Sequence, residues 1–133
     1  MTRNFPFEWS VTTDNQCGAN YAGLIASSEA ETRYTSELIE SSDIDAVLVV
    51  TSGSGQTVKF PYHYDNVKTE NHNDVEVVGR KIARDIGLEL GNNFTYHLGG
   101  ELDSKSGTLS DYARSSRIKY VFEVKQKFIS KLK

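Results

Sequence analysis

His63, His72 and His97 are the three imidazoles in a chain of 133 residues, and imidazole is the side chain best suited to metal ligation and proton transfer near neutral pH. His63 lies beside Asp65, and His72 stands between Glu70 and Asp74. A carboxylate and imidazole cluster can therefore be drawn in the 62–74 loop, with the mixed donors that divalent transition metals accept. The same stretch, rich in Asn, Asp and Glu, also describes a solvated polar loop. His97 sits in a strand pattern beside Tyr96 and reads as a packed or hydrogen-bonded side chain. Thr51-Ser52-Gly53-Ser54-Gly55 contains Gly-x-Gly, but a phosphate cradle needs its glycines to open a helix, and here they join two strand-like runs. Ser52 or Ser54 would need a general base that the sequence does not place nearby. Asn93-Phe94-Thr95 fits the acceptor pattern for N-glycosylation, which matters only in a secreted chain. Cys17, the single cysteine, has no partner for an internal disulfide and is either a buried small hydrophobe or an orphan.

The elements that must position these groups follow from periodicity. Ser28-Glu29-Ala30-Glu31 has the spacing of a capping box and predicts a helix over 29–39. Asp43 to Val50 ends in a continuous apolar run, the pattern of a central strand covered on both faces. It breaks at the Gly-rich turn and resumes at 57–60 before Pro61, which predicts two short strands with a tight connection. Val75, Val78, Ile82, Ile86 and Leu90 recur at helical spacing, and Gly91 stands where a left-handed cap belongs. Residues 93–97 read as a short strand, 104–110 as a loop, and Ile118, Tyr120, Phe122 and Val124 alternate with polar residues as a strand with one buried face. Alternating helices and strands predict an α/β layer structure with a sheet of about four strands, in one domain over 1–133.

Composition narrows the function. With 38% apolar and 25% charged residues, and no apolar run longer than Ala46–Val50, the sequence shows neither a membrane span nor a leader. The net charge of −3 hides an asymmetry, because residues 119–133 hold five lysines and one acid while the preceding part is acidic. No basic stripe interleaved with aromatics is present in the body, which argues against nucleic acid as a partner.

Several segments, in order over nearly the whole chain, resemble the zinc metallocarboxypeptidases of the A/B type. Thr2-Arg3-Asn4-Phe5-Pro6-Phe7-Glu8-Trp9 is similar to that family's Asn-Arg-Asn-Phe-Pro-x-x-Trp, and Cys17-Gly18-Ala19-Asn20-Tyr21-Ala22-Gly23 to its Cys-Ser-Glu-Thr-Tyr-x-Gly. Ser28-Glu29-Ala30-Glu31-Thr32 and Phe60-Pro61-Tyr62-His63-Tyr64 resemble its Ser-Glu-Pro-Glu-Thr and Tyr-Pro-Tyr-Gly-Tyr. Ser106-Gly107, Asp111-Tyr112 and Ile118-Lys119-Tyr120-Val121-Phe122 agree with the segments that follow. The resemblance covers the later part of the family's catalytic domain. It implies that the first two zinc ligands belong to a segment preceding the one seen here, and that the fold is a truncated carboxypeptidase-like mixed sheet.

The resemblance also implies positions for the chemistry, and the residues there differ. Thr51 matches the third zinc ligand, a His, and a hydroxyl is a poor substitute for imidazole on zinc. Lys125 matches the general-base Glu, and an ammonium neither accepts a proton at neutral pH nor attracts a metal. Asp103 matches the mobile Tyr, Arg3 and Thr2 the pair that binds the substrate carboxylate, and Ser110 the residue that sets side-chain preference.

These replacements imply a non-catalytic carboxypeptidase-like protein, a pseudoenzyme without a cofactor, that acts by binding a protein or peptide partner. The alternatives are the C-terminal portion of a working carboxypeptidase paired with a separate N-terminal piece, and a new activity in the old cleft using Lys125 with a lowered pKa. A bared sheet edge at 118–124, with Phe128, Ile129 and Leu132 of the tail, predicts a homodimer, unless Lys119, Glu123 and Lys125 are charges that keep that edge single. With Met1 as the native start the chain is cytoplasmic, and with a leader ahead of it, secreted.

Overall fold

The computed structural model describes residues 3–11, 16–18, 21–102 and 104–127. In chain order these form α1 (Ala30–Ser41), β1 (Ala46–Ser52), β2 (Thr57–Phe60), α2 (His72–Leu90), β3 (Thr95–Leu98), the single turn α3 (Gly99–Leu102), α4 (Leu109–Ser115) and β4 (Tyr120–Gln126). The strands make one four-stranded mixed sheet in the order β1-β4-β2-β3. β4 runs parallel to β1 and antiparallel to β2, and β2 runs parallel to β3. This is the α/β layer structure that the alternation predicts. No helix among the described residues is long and apolar enough to cross a membrane.

The topology corrects two expectations. The expected edge at 118–124 is interior, because β4 has β1 on one side and β2 on the other. It pairs with β1 over 120–126 and with β2 over 123–125, so it is not the sheet edge that the expected dimer required, and Glu123 and Lys125 guard no edge. The expected central strand, β1, is the edge instead, and its residues alternate between exposed and half-buried. Leu48 and Val50 are 57% and 59% exposed. The two strands and their tight connection form as expected, and β4 lies between them in the sheet. A run of apolar residues reports β preference, but which neighbours cover it is decided by pairings far away in sequence. The tail residues Phe128, Ile129 and Leu132 lie outside the described residues.

Each sheet face has its own core. On one, α2 lays Val75 and Ala83 against Val58 and Phe60 of β2, Leu98 of β3 and Phe122 and Val124 of β4. Gly79 permits this approach, because a Cβ there would stand 3.1–3.2 Å from the Tyr96 and Phe122 rings. Gly91 ends α2 in the left-handed conformation at φ 64°, and its N–H donates to the Gly87 carbonyl, as the sequence predicts. On the other face, Ile39 of α1, Tyr112 and Ala113 of α4, Phe5, Ile118 and Val121 pack together. Phe5 stacks on Tyr112 at 5.5 Å between ring centroids, and the Tyr112 hydroxyl donates to Glu40 of α1.

The helix starts differ from expectation as well. The expected capping box at Ser28 does not form: Glu29 occupies the cap position with no side-chain cap bond, and the Ser28 hydroxyl turns to the Glu29 carboxylate at 2.9 Å. Asn4, fully buried, takes over this junction. Its Oδ1 accepts from the Glu29 N–H at 3.0 Å, and its Nδ2 donates to the Ala22 and Ile25 carbonyls and to the Ser28 hydroxyl at 2.6, 2.8 and 3.1 Å. Downstream, the expected loop at 104–110 runs into α4, where the Thr108 hydroxyl accepts from the Asp111 N–H at 3.1 Å. Thr108-x-x-Asp111 is the spacing that would have revealed this helix.

Candidate functional site

Alternation along β4 sends Val121, Glu123 and Lys125 to the face that carries α1 and α4. Register then sets polar residues in rows across the sheet. Thr51 of β1 and Thr57 of β2 flank Lys125, and Thr95 of β3 extends that row beyond Thr57. Glu123 stands opposite Lys59 of β2, which in turn stands opposite His97 of β3. Lys59 is only 4% exposed, an uncommon place for an ammonium and one that demands polar company.

His63 belongs to this cluster. Its ring is buried beneath Gly99, where a Cβ would come within 1.8 Å of the imidazole Cδ2. Its Nδ1 lies 3.5 Å from the Glu123 carboxylate, whose other oxygen lies 3.5 Å from the Thr51 hydroxyl. Behind the ring, Asp111 of α4 is fully buried and accepts from the backbone N–H groups of His63, at 2.8 and 3.0 Å to its two oxygens, and of Tyr64 at 3.0 Å. Burial pushes the Asp111 carboxyl up to about 7, against the downward pull of these donors.

The loop cluster drawn from the sequence is not assembled. His63 turns to Glu123 on one sheet face, while His72 opens α2 on the other, against Phe60 and 3.4 Å from Glu76. His97 contacts the Thr95 hydroxyl at 3.0 Å and lies 3.8 Å from Glu101. Among the described residues, no group of three His, Cys, Asp or Glu side chains converges as a metal site. Ser52, the last residue of β1, and Ser54 in the turn after it are exposed, and exposed Cys17 is not a core residue.

Of the positions singled out by sequence, the structure brings Thr51 and Lys125 together as register partners. The Lys125 stem lies over the turn, since a Cβ on Gly53 would meet its Cε at 2.1 Å. Arg3 lies apart beside Gly107, where a Cβ would meet the Arg3 carbonyl oxygen at 2.6 Å. Ser110 is 1% exposed, and Thr2 and Asp103 lie outside the described residues. Glu123, Lys59 and the buried role of Asp111 escaped the sequence reading. The polar breaks in the alternation at 59 and 123 were their visible signal.

Zinc requires imidazole, thiolate or carboxylate donors around an open position. The end of β1 offers a hydroxyl beside an ammonium, with the nearest carboxylate, Glu123, already facing His63. These residues do not fit a zinc ion.

A mixed sheet carrying helices on both faces, with this polar cluster over one face, defines the class: an α/β layered fold. The chain belongs to the zinc carboxypeptidase family, whose profile matches residues 1–130. It is 32% identical over 126 residues to carboxypeptidase B of Canis lupus familiaris, covering 91% of this chain and 30% of that protein. It is likewise 32% identical over 133 residues to carboxypeptidase O of Bos taurus, covering 94% of this chain and 35% of that one. The chain thus spans about a third of the length of these relatives. In structure, it matches bovine thrombin-activatable fibrinolysis inhibitor, solved in complex with tick carboxypeptidase inhibitor, with a TM-score of 0.86 at 23% identity, over 98% of this chain and 46% of that one. Carboxypeptidase A from Helicoverpa armigera matches with a TM-score of 0.81 at 19% identity, over 95% and 32% of the two chains. At these identities the structural likeness speaks for the fold.

Proposed function

We propose that this chain is a carboxypeptidase-like binding module whose own residues perform no zinc-dependent hydrolysis. The observation that carries the reading is the juxtaposition of Thr51 and Lys125 across β1 and β4. A hydroxyl and an ammonium stand at the two places where the resemblance implies a zinc ligand and a general base. Removing a metal-binding imidazole and reversing the charge of the base each oppose the chemistry, and being adjacent they reinforce one another. Metal analysis of the purified chain, zinc titration by calorimetry and hydrolysis of peptide C-terminal bonds test this. The expected result is substoichiometric zinc, no saturable heat and no hydrolysis. Tight stoichiometric zinc would overturn it.

The binding surface we assign to this module is the free edge of β1, with a second copy of the chain as its occupant. β1 carries no charge, proline or bulge of the kind that keeps an edge strand single. Antiparallel self-pairing about Val49 sets Leu48 of one copy against Val50 of the other on the face where both are exposed. Sedimentation from micromolar to millimolar concentration is expected to show a monomer-dimer equilibrium that Val50→Lys shifts to monomer. A constant monomer mass refutes the dimer. The same bared edge also favours a second reading, in which β1 accepts a strand from a separate N-terminal piece of a carboxypeptidase, and mixing the two pieces then yields a heterodimer.

A further inference from the structure

Away from the polar cluster, a cavity of about 540 Å³ opens between the segment after β2 and the end of α4. Its size lies in the range of small-molecule sites. Lys68, Arg114 and Arg117 line it with Tyr62 and Thr69, and Glu70 is the one carboxylate on its wall. Three cations against one acid stand out on a chain whose net charge is −3.

The donors are also partly set in place. The guanidinium of Arg114 is held from two sides, Nη1 donating to the Ile118 carbonyl at 3.2 Å and Nη2 to the Asn71 side-chain oxygen at 3.1 Å. Its Nε–H is buried without a hydrogen-bond partner. Thr69 is 6% exposed, and its hydroxyl likewise has no partner. Covered donors without acceptors are costly, and two at one cavity mark hydrogen-bonding capacity that the protein itself leaves unused. Burial raises the Tyr62 phenol, so it stays protonated and able to donate. Lysine and arginine offer donors only, so the matching ligand must be rich in acceptors and negatively charged.

We propose that this cavity binds a phosphate-type oxyanion carried on a small organic molecule. The clamped guanidinium and the Thr69 hydroxyl meet the anionic oxygens, Lys68 and Arg117 supply charge at the exposed rim, and Tyr62 walls the organic part. A small inward adjustment of the covered Thr69 and Arg114 donors accompanies binding.

Titration of the full chain with inorganic phosphate, and separately with phenyl phosphate, at low ionic strength tests the site through amide chemical shifts. Saturable shifts are expected at residues 68–70 and 114–117, with phenyl phosphate the tighter probe. Arg117→Ala, a change at an exposed residue, is expected to weaken binding about threefold. Thr69→Val, which keeps the shape and removes the hydroxyl, is expected to weaken it about tenfold. A melting temperature unchanged by either variant separates a lost contact from a lost fold. The proposal is overturned if neither probe gives saturable shifts at these amides, if chloride at equal ionic strength reproduces them, or if both variants bind as the parent does.

Discussion

Asn4→Ala is expected to destabilise the chain by about 3 kcal/mol, the cost of losing four hydrogen bonds from one fully buried side chain and of the cavity it leaves. The Asn4 amide bonds the Ala22 and Ile25 carbonyls, the Ser28 hydroxyl and the Glu29 N–H, and no water reaches it. The Ala22 carbonyl keeps another donor, Trp9 Nε1 at 2.9 Å, the Ile25 carbonyl keeps the Ser28 N–H at 3.2 Å and the Ser28 hydroxyl keeps the Glu29 carboxylate, so the loss falls hardest on the Glu29 N–H. Because Glu29 caps α1 without a side-chain bond of its own, the loss also frays the helix whose Ile39 anchors the second core. Asn4→Asp is expected to do no better: it keeps an acceptor for Glu29 but turns an oxygen toward three oxygens. Thermal unfolding of both variants measures the effect, with a drop of about 10 °C expected for a chain of this size. A change within about 0.5 kcal/mol, the range of ordinary surface substitutions, would show that the junction does not depend on Asn4.

The second large effect is on the pH dependence of stability. Asp111 rises from the ordinary 3.8 to about 7 in the folded protein, first because it is desolvated, and further because Glu123 is near. A folded-state pKa above the unfolded one means that the native state binds the extra proton. The contribution is therefore complete below about pH 4 and is lost as pH rises through about 7. A shift of this size corresponds to about 4 kcal/mol across that window. Urea unfolding from pH 4 to 8 is expected to show this decline in the parent and a flatter profile in Asp111→Asn, which cannot ionise. Asn also presents an N–H group where both Asp oxygens now accept from His63 and Tyr64, so it is expected to be the less stable protein at acid pH. Parallel profiles for the two would show that the backbone donors outweigh desolvation and keep Asp111 ionised throughout.

The two local periods, 3.6 and 2, were legible wherever they ran long enough. α2, with its apolar stripe and Gly91 cap, follows directly from residue spacing, and β4 does as a strand, but not with one buried face: Phe122 and Val124 pack in one core while Val121 and Ile118 pack in the other. α4 was hidden because its seven residues carry too few turns for a stripe, and its Thr108 cap is the only local sign. The capping-box motif at Ser28 was legible and misleading, because Asn4, far upstream, holds the Ser28 hydroxyl and the Glu29 N–H while the Ser28 N–H bonds the Ile25 carbonyl. Thr51 and Lys125 were singled out through the family resemblance, but their adjacency was not legible: it arises only when β4 enters the sheet beside β1.

By itself, the sequence determined the α/β class, the approximate strands, the long helix and the resemblance to one family. The tertiary structure alone decided that β4 is interior and β1 the edge, and that His63, Glu123 and Lys59 share a buried face. It also decided that Lys68, Thr69 and Arg114 meet around one cavity. The physical reason is one of range. Propensity, capping and periodicity act over a few residues along the chain, whereas strand order, burial and the pairing of charges depend on groups brought together from dozens of residues apart.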